Sequence, residues 1–242
     1  MNKKRKIVDR LGLGFIVALS LLLIAVLPVW NIEIENYEVI YFGESAYYSR
    51  ADIELQMGLT ANTHILSVTQ DKIEQCKNAL PFIEDIEVVK SFPNKLSIII
   101  TERTPVAYLP FSGGYLLINK DGIVLAEQKY KAYELPIIEG ISISQFMLGQ
   151  KISGLDAERL LTMETMLKEI EKYDMIKNID IINISNLQEI HLYIQKLDVI
   201  MGNITDFSRK IMWLSNIYEN YTVGILDLSS VNSGSAVLRP LE

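Results

Sequence analysis

Hydrophobic positions along the chain change period several times, and each change marks an element. From Leu11 to Trp30 the residues are apolar almost without interruption. At about 1.5 Å per helical residue such a run crosses a hydrocarbon layer of roughly 30 Å, where a helix satisfies its own backbone polar groups. A transmembrane helix is therefore predicted over residues 11–30, with Trp30 as an interfacial aromatic. Glu33 to Phe42 reads as a strand of mixed alternation. Ser49-Arg-Ala-Asp52 has a capping-box pattern and Gly58 is a stop signal, which places a short helix carrying Ile53 and Met57 between them. Ser67 or Thr69 can cap a second helix with Ile73, Cys76 and Leu80 on one face, ended by Pro81. Ile86 and Val88, then Leu96, Ile98 and Ile100, alternate with polar residues on either side of Phe92-Pro93-Asn94, the pattern of a hairpin with one buried face. The unit is β-α-α-β-β, with two helices covering one side of a three-stranded sheet.

Tyr115 to Asn119 and Ile123 to Leu125 flank Lys120-Asp121-Gly122, and Asp-Gly between apolar runs signals a hairpin. Asp156 can cap a helix reaching about Tyr173, in which Leu160, Met163, Leu167 and Ile170 share one face. Ile179 to Ile184, Glu189 to Gln195 and Leu197 to Met201 read as a meander of short strands, with Asn186 and Lys196 near the bends. Phe207, Ile211, Leu214 and Ile217 form another amphipathic face after a Thr205-Asp206 cap, with Trp213 at its flank. Thr222 to Ser229 is a last strand, after which the signal is lost and a mobile tail is expected. The predicted fold class is α+β. A single N-terminal transmembrane helix precedes a β-α-α-β-β domain at 31–103, then a mixed α/β domain with a mostly antiparallel sheet at 104–228 and a tail at 229–242.

Charge adds direction to this order. Residues 1–10 carry Lys3, Lys4, Arg5, Lys6 and Arg10 against Asp9, a net +4, while the rest holds 18 basic and 29 acidic groups, a net −11. By the positive-inside bias the tip is cytoplasmic and the domains after the apolar run lie outside. The acidic body repels phosphates, which argues against a nucleic-acid partner.

Catalytic material is sparse. Cys76 is the one cysteine, so no intramolecular disulfide forms, and its helical register makes it a small buried hydrophobe. His64 and His191 have no second ligand at metal-site spacing, and Gly140-Ile-Ser142-Ile-Ser144 lacks the last glycine of a nucleophile elbow. Glu33/Glu35, Glu84/Asp85/Glu87 and Glu169/Glu171 read as solvated faces, although they are also the groups a wall-directed enzyme or regulator would use. No catalytic, cofactor or metal residue is assigned. Binding through a sheet edge remains, because a final strand has an unpaired side until something adds to it. Thr222 to Ser229 is either such an edge or is central or tail-covered, and the pattern leaves both open.

Particular residues carry a resemblance. Pro81-Phe-Ile-Glu-Asp-Ile-Glu-Val-Val-Lys90, the Phe92-Pro-Asn-Lys-Leu96 turn, and Ile98 to Thr101 running into Glu102-Arg-Thr-Pro-Val-Ala107 resemble the POTRA module of the bacterial FtsQ/DivIB cell-division family. Tyr115 to Leu125 looks like that family's next hairpin. The resemblance implies a non-enzymatic, single-pass scaffold of the division septum. It implies partners of the bitopic FtsL and DivIC/FtsB types, an indirect link to the septal peptidoglycan synthase, the lipid bilayer as anchor, and no cofactor. It also favours the edge reading, and implies partner-binding positions at Tyr221, Gly224, Ile225, Leu226, Asp227, Leu228, Ser229 and Ser230. A ligand sensor signalling through a ten-residue tip is a poorer reading.

Overall fold

The computed structural model describes residues 14–24, 28–41, 46–60, 62–230 and 237–239. Residues 14–24 are helical (α1), and a 3-10 turn follows at Pro28–Trp30. The described part of α1 rises about 16 Å, half of the hydrocarbon thickness. Among the described residues no helix is long and apolar enough to cross a membrane. The fold class expected above is corrected accordingly: the architecture is α+β, without the single membrane-spanning helix read over 11–30. Residues 11–13 and 25–27 of that run, and the basic tip at 1–10, lie outside the described residues.

The chain divides into two compact units. The first runs to Glu102, except for Leu80–Phe82, which belong with the second unit from Arg103 onward. The first contains β1 (Glu33–Ile40), α2 (Arg50–Gln56), α3 (Gln70–Ala79), β2 (Ile83–Ser91) and β3 (Lys95–Glu102). β3 is central, parallel to β1 and antiparallel to β2. The capping box forms: the Ser49 side chain accepts from the Asp52 amide, and the Asp52 carboxylate accepts the Ser49 amide at 2.9 Å. Gly58, at φ +66°, turns the chain out of α2 in the left-handed conformation that glycine adopts without strain. Leu96, Ile98 and Ile100 are buried on one face of β3, and Ile53, Ile65, Ile73, Cys76 and Ile86 are among the residues buried with them. The same alternation carries Glu102 inward. Its carboxylate, 6% exposed, accepts the amides of Tyr47 at 2.9 and 3.0 Å and of Tyr48 at 3.2 Å.

The second unit contains β4 (Pro105–Phe111), β5 (Gly114–Asn119), β6 (Val124–Gln128), β7 (Ile137–Glu139), α4 (Ala157–Lys172), β8 (Ile181–Asn183), β9 (Ile190–Ile194), β10 (Lys196–Gly202), α5 (Phe207–Ile217), β11 (Val223–Asp227) and β12 (Val237–Arg239). They form a nine-stranded sheet in the order β12-β11-β10-β9-β8-β7-β4-β5-β6. The pairs β4/β7, β7/β8 and β10/β11 are parallel and the others antiparallel. Parallel neighbours need a crossover, and α4 and α5 supply it for β7/β8 and β10/β11. Asp156 caps α4 by accepting the Arg159 amide at 2.7 Å, and Met163, Met166, Leu167 and Ile170 bury its inner face, with Leu160 half-buried.

Three strands had no clear sequence signal. β4 is buried at its first five positions and so shows no alternation, while β7 and β12 have three residues each. The start of α5 also differs from the expected Thr205-Asp206 cap. Asp206 sits at the N-cap in left-handed conformation, φ +55°, without a side-chain cap. Its carbonyl instead accepts the amides of Arg209 and Lys210. Within the expected tail, Val237–Arg239 pair with β11, because β11 offers backbone groups that a short segment can satisfy.

Candidate partner-binding edge

α5 returns the chain beside β10, and β11 pairs with it in parallel from Lys196↔Val223 to Ile200↔Asp227. The Leu228 amide donates to the Ile200 carbonyl at 2.9 Å. Alternation along the strand turns the Leu226 and Gly224 amides the same way, and the Ile225 and Asp227 amides to the opposite edge. Across that edge lies β12, antiparallel, with Ile225 opposite Arg239, Leu226 opposite Leu238 and Asp227 opposite Val237. Side chains divide by face. Leu226 and Leu228 are buried in the core, while Ile225 and Asp227 are half-buried on the other face.

The remaining expected positions frame the strand. The Tyr221 amide donates to the Tyr218 carbonyl at 3.1 Å, and Tyr221 lines an open cleft of about 360 Å³ with Lys177, Asp180, Tyr218 and Glu219. Ser229 and Ser230 are exposed, and the Asp227 carboxylate accepts the Ser229 amide at 2.9 Å and its hydroxyl at 2.6 Å, which ends the strand in a tight turn. Gly224 has φ +129°, and a Cβ there would stand 2.8 Å from the Arg239 carbonyl oxygen. Glycine thus lets a crossing backbone come close.

Several contributors had no sequence assignment. On the open face His191 Nδ1 and Asp198 Oδ1 lie 2.7 Å apart, Asp198 is the register partner of Ile225, and the His191 ring stacks on Tyr193 with centroids 6.0 Å apart. Burial first, then the Asp198 and Glu139 carboxylates, raises the Tyr193 phenol above its ordinary pKa. Lys210 is 3% exposed and its Nζ donates to the Asn203 carbonyl at 2.9 Å. Burial lowers its pKa. Lys210 lies three residues after Phe207 on the buried stripe of α5, and that register was its signal. Val237, Leu238 and Arg239 form a run too short to show a period.

Four of the carboxylates considered for acid–base work, Glu35, Asp85, Glu169 and Glu171, are paired with lysines. Glu35 pairs with Lys95 at 2.7 Å, Asp85 with Lys77 at 2.9 Å, and Glu171 with Lys120 at 3.1 Å. Glu169 pairs with Lys172 at 3.3 Å and accepts the Ser208 hydroxyl at 2.7 Å. His64 caps a 3-10 turn, its Nδ1 accepting the Leu66 amide at 3.2 Å. Cys76 is buried, which pushes its thiol up to about 11. Among the described residues no group of three or more His, Cys, Asp or Glu is placed to hold a metal ion.

A three-stranded β-α-α-β-β unit followed by a β-rich unit whose β11 lies between β10 and the chain's own C-terminal β12, the tail-covered alternative left open by the sequence, defines a two-unit α+β protein. The first unit matches the family described as POTRA domain, FtsQ-type over residues 38–103, and the second matches Cell division protein FtsQ/DivIB, C-terminal over residues 107–231. The chain belongs to the FtsQ/DivIB family of cell division proteins. It is 25% identical over 223 residues to the cell division protein DivIB of Clostridium botulinum strain Hall, covering 90% of this chain and 84% of that protein. It is 24% identical over 200 residues to DivIB of Clostridium tetani, covering 79% and 74%. With the cell division protein FtsQ of Koribacter versatilis it shares 28% identity over 115 residues, 46% of this chain and 33% of that one. β11 lies inside the C-terminal family match, and β12 lies beyond it.

Proposed function

We propose that the protein is a non-enzymatic scaffold of the division septum. It takes FtsL-type and DivIC/FtsB-type partners onto β11, and through them is linked to septal peptidoglycan synthesis. The observation that carries the reading is that the Ile225 and Asp227 amides face away from β10, toward the side held only by the three-residue β12, on a strand within the family-matched region. An extended partner segment gains main-chain hydrogen bonds at such an edge and draws specificity from alternate side chains, here Ile225 and Asp227. Tyr221 and the cleft beside it border one end of the strand, and Ser229 and Ser230 border the other. Leu226 and Leu228 contribute by fixing the strand to the core.

A wall enzyme or regulator acting through surface carboxylates is supported less well, because those carboxylates are dispersed and four of them, Glu35, Asp85, Glu169 and Glu171, pair with lysines. A tagged copy should concentrate at mid-cell in dividing cells and co-purify with a DivIC-type protein. A uniform cellular signal, with no such protein recovered, would contradict the proposal.

A further inference from the structure

We propose that β12 is a placeholder: the chain's own C-terminal strand occupies in cis the edge of β11 that a partner strand takes, and it leaves when the partner adds. The proposal rests on the docking reading above and adds to it the regulation of that edge. β12 stands opposite both outward-facing residues, Ile225 and Asp227, so one edge cannot hold it and a second strand together. Its hold is slight. It has three residues, all exposed, with Val237 at 47% and Leu238 at 41%. On the other side of β11, β10 makes five register pairs and buries Leu197 and Val199. The family match ends at residue 231, so the strand that receives is inside it and the strand that covers is outside.

Gly224 tells what fits. Its missing side chain leaves room for the Arg239 carbonyl, and the nearest side-chain atom to a Cβ there would be Leu238 Cδ1 at 3.5 Å. The edge is therefore shaped for an extended segment running antiparallel to β11, with an apolar residue opposite Leu226. Because only the uncovered fraction of molecules can bind, a β12 docked about nine-tenths of the time weakens apparent affinity about tenfold.

The test uses three full-length chains and a purified DivIC-type protein as probe. In V237P/R239P both β12 residues that face the outward amides lose their N–H, so β12 should release. The Ile225 and Asp227 amides should then exchange faster, and the probe should bind about tenfold tighter than to the natural chain. In D227C/V237C the two Cα atoms face each other across an antiparallel pair, within the span of a disulfide. The comparison is made within this one chain, since Asp227 itself contributes to the edge: oxidation should abolish the binding that the same chain shows in reductant. Equal or weaker binding by V237P/R239P relative to the natural chain, or equal binding by oxidised and reduced D227C/V237C, overturns the placeholder while leaving docking in place. No binding by any of the three is failure of the docking reading itself and takes the placeholder with it.

Discussion

A methyl group on Gly224 would stand 2.8 Å from the carbonyl oxygen of Arg239, closer than carbon and oxygen rest in contact, and the φ of +129° at Gly224 is one that L side chains rarely adopt. Both constraints act at the strand that is the candidate docking edge. Gly224→Ala should therefore lift β12 and strain β11, costing about 1–3 kcal/mol of stability in the second unit. The midpoint of urea unfolding should fall, and the Ile225 and Asp227 amides should exchange faster. Unlike V237P/R239P, this variant should also bind a partner more weakly, since any antiparallel backbone meets the same methyl. Unchanged amide exchange would count against the close approach.

In the first unit, Glu102 closes the segment that leads into α2 by accepting the Tyr47 and Tyr48 amides. Glu102→Ala leaves those donors without the carboxylate and should destabilise that unit by about 2 kcal/mol. Glu102→Gln keeps an acceptor oxygen at similar reach and should lose about half as much. Thermal unfolding of both variants orders them, and equal losses would show that volume rather than hydrogen bonding matters at this position.

How much of this was legible follows from residue chemistry. The Ser49 capping box, the Asp156 cap, the α4 stripe and the β3 alternation all depend on neighbours in sequence, and all formed as read. The motif that carried the resemblance has a physical reason as well. Glu102 caps a distant loop, and the Arg103 guanidinium donates to the Pro81 carbonyl at 2.6 Å. Those partners lie more than twenty residues away, so no local pattern predicted them. At the candidate edge, alternation alone could not say whether Ile225 or Leu226 faces the core, since both are apolar. Their faces are set by the parallel register with β10 after the α5 crossover. β12 was illegible because its pairing comes from what β11 offers and not from its own three residues. The apolar run at 11–30 misled through composition: length and hydropathy suggested a span, whereas among the described residues no helix meets that requirement.

Tyr37 gives a pH signature to the first unit. Among the described residues its buried hydroxyl has no hydrogen-bond partner, and the Arg50 guanidinium lies 5.0 Å from the ring centroid. Burial, then the Glu54 carboxylate, pushes the phenol from 10.0 up to about 12. The folded state therefore favours the neutral phenol. Its stability contribution is full below the ordinary pKa and is lost as pH rises from 10.0 through about 12. The loss is on the order of 2 kcal/mol. Tyr37→Phe should flatten that alkaline limb while leaving stability at pH 7 unchanged or slightly raised, because an unpartnered hydroxyl is removed. Denaturant melts across the alkaline range read it directly, and an identical limb in both proteins would contradict the assignment.

The docking edge is tested most directly by the affinity of a purified DivIC-type protein for Ile225→Pro, made in the V237P/R239P background so that release of β12 does not mask the effect. Proline at 225 removes an outward amide and leaves the Leu228 amide on Ile200 and the buried leucines in place. Binding should weaken about tenfold or more, with circular dichroism unchanged. Undiminished affinity in a folded Ile225→Pro chain would contradict strand addition at β11.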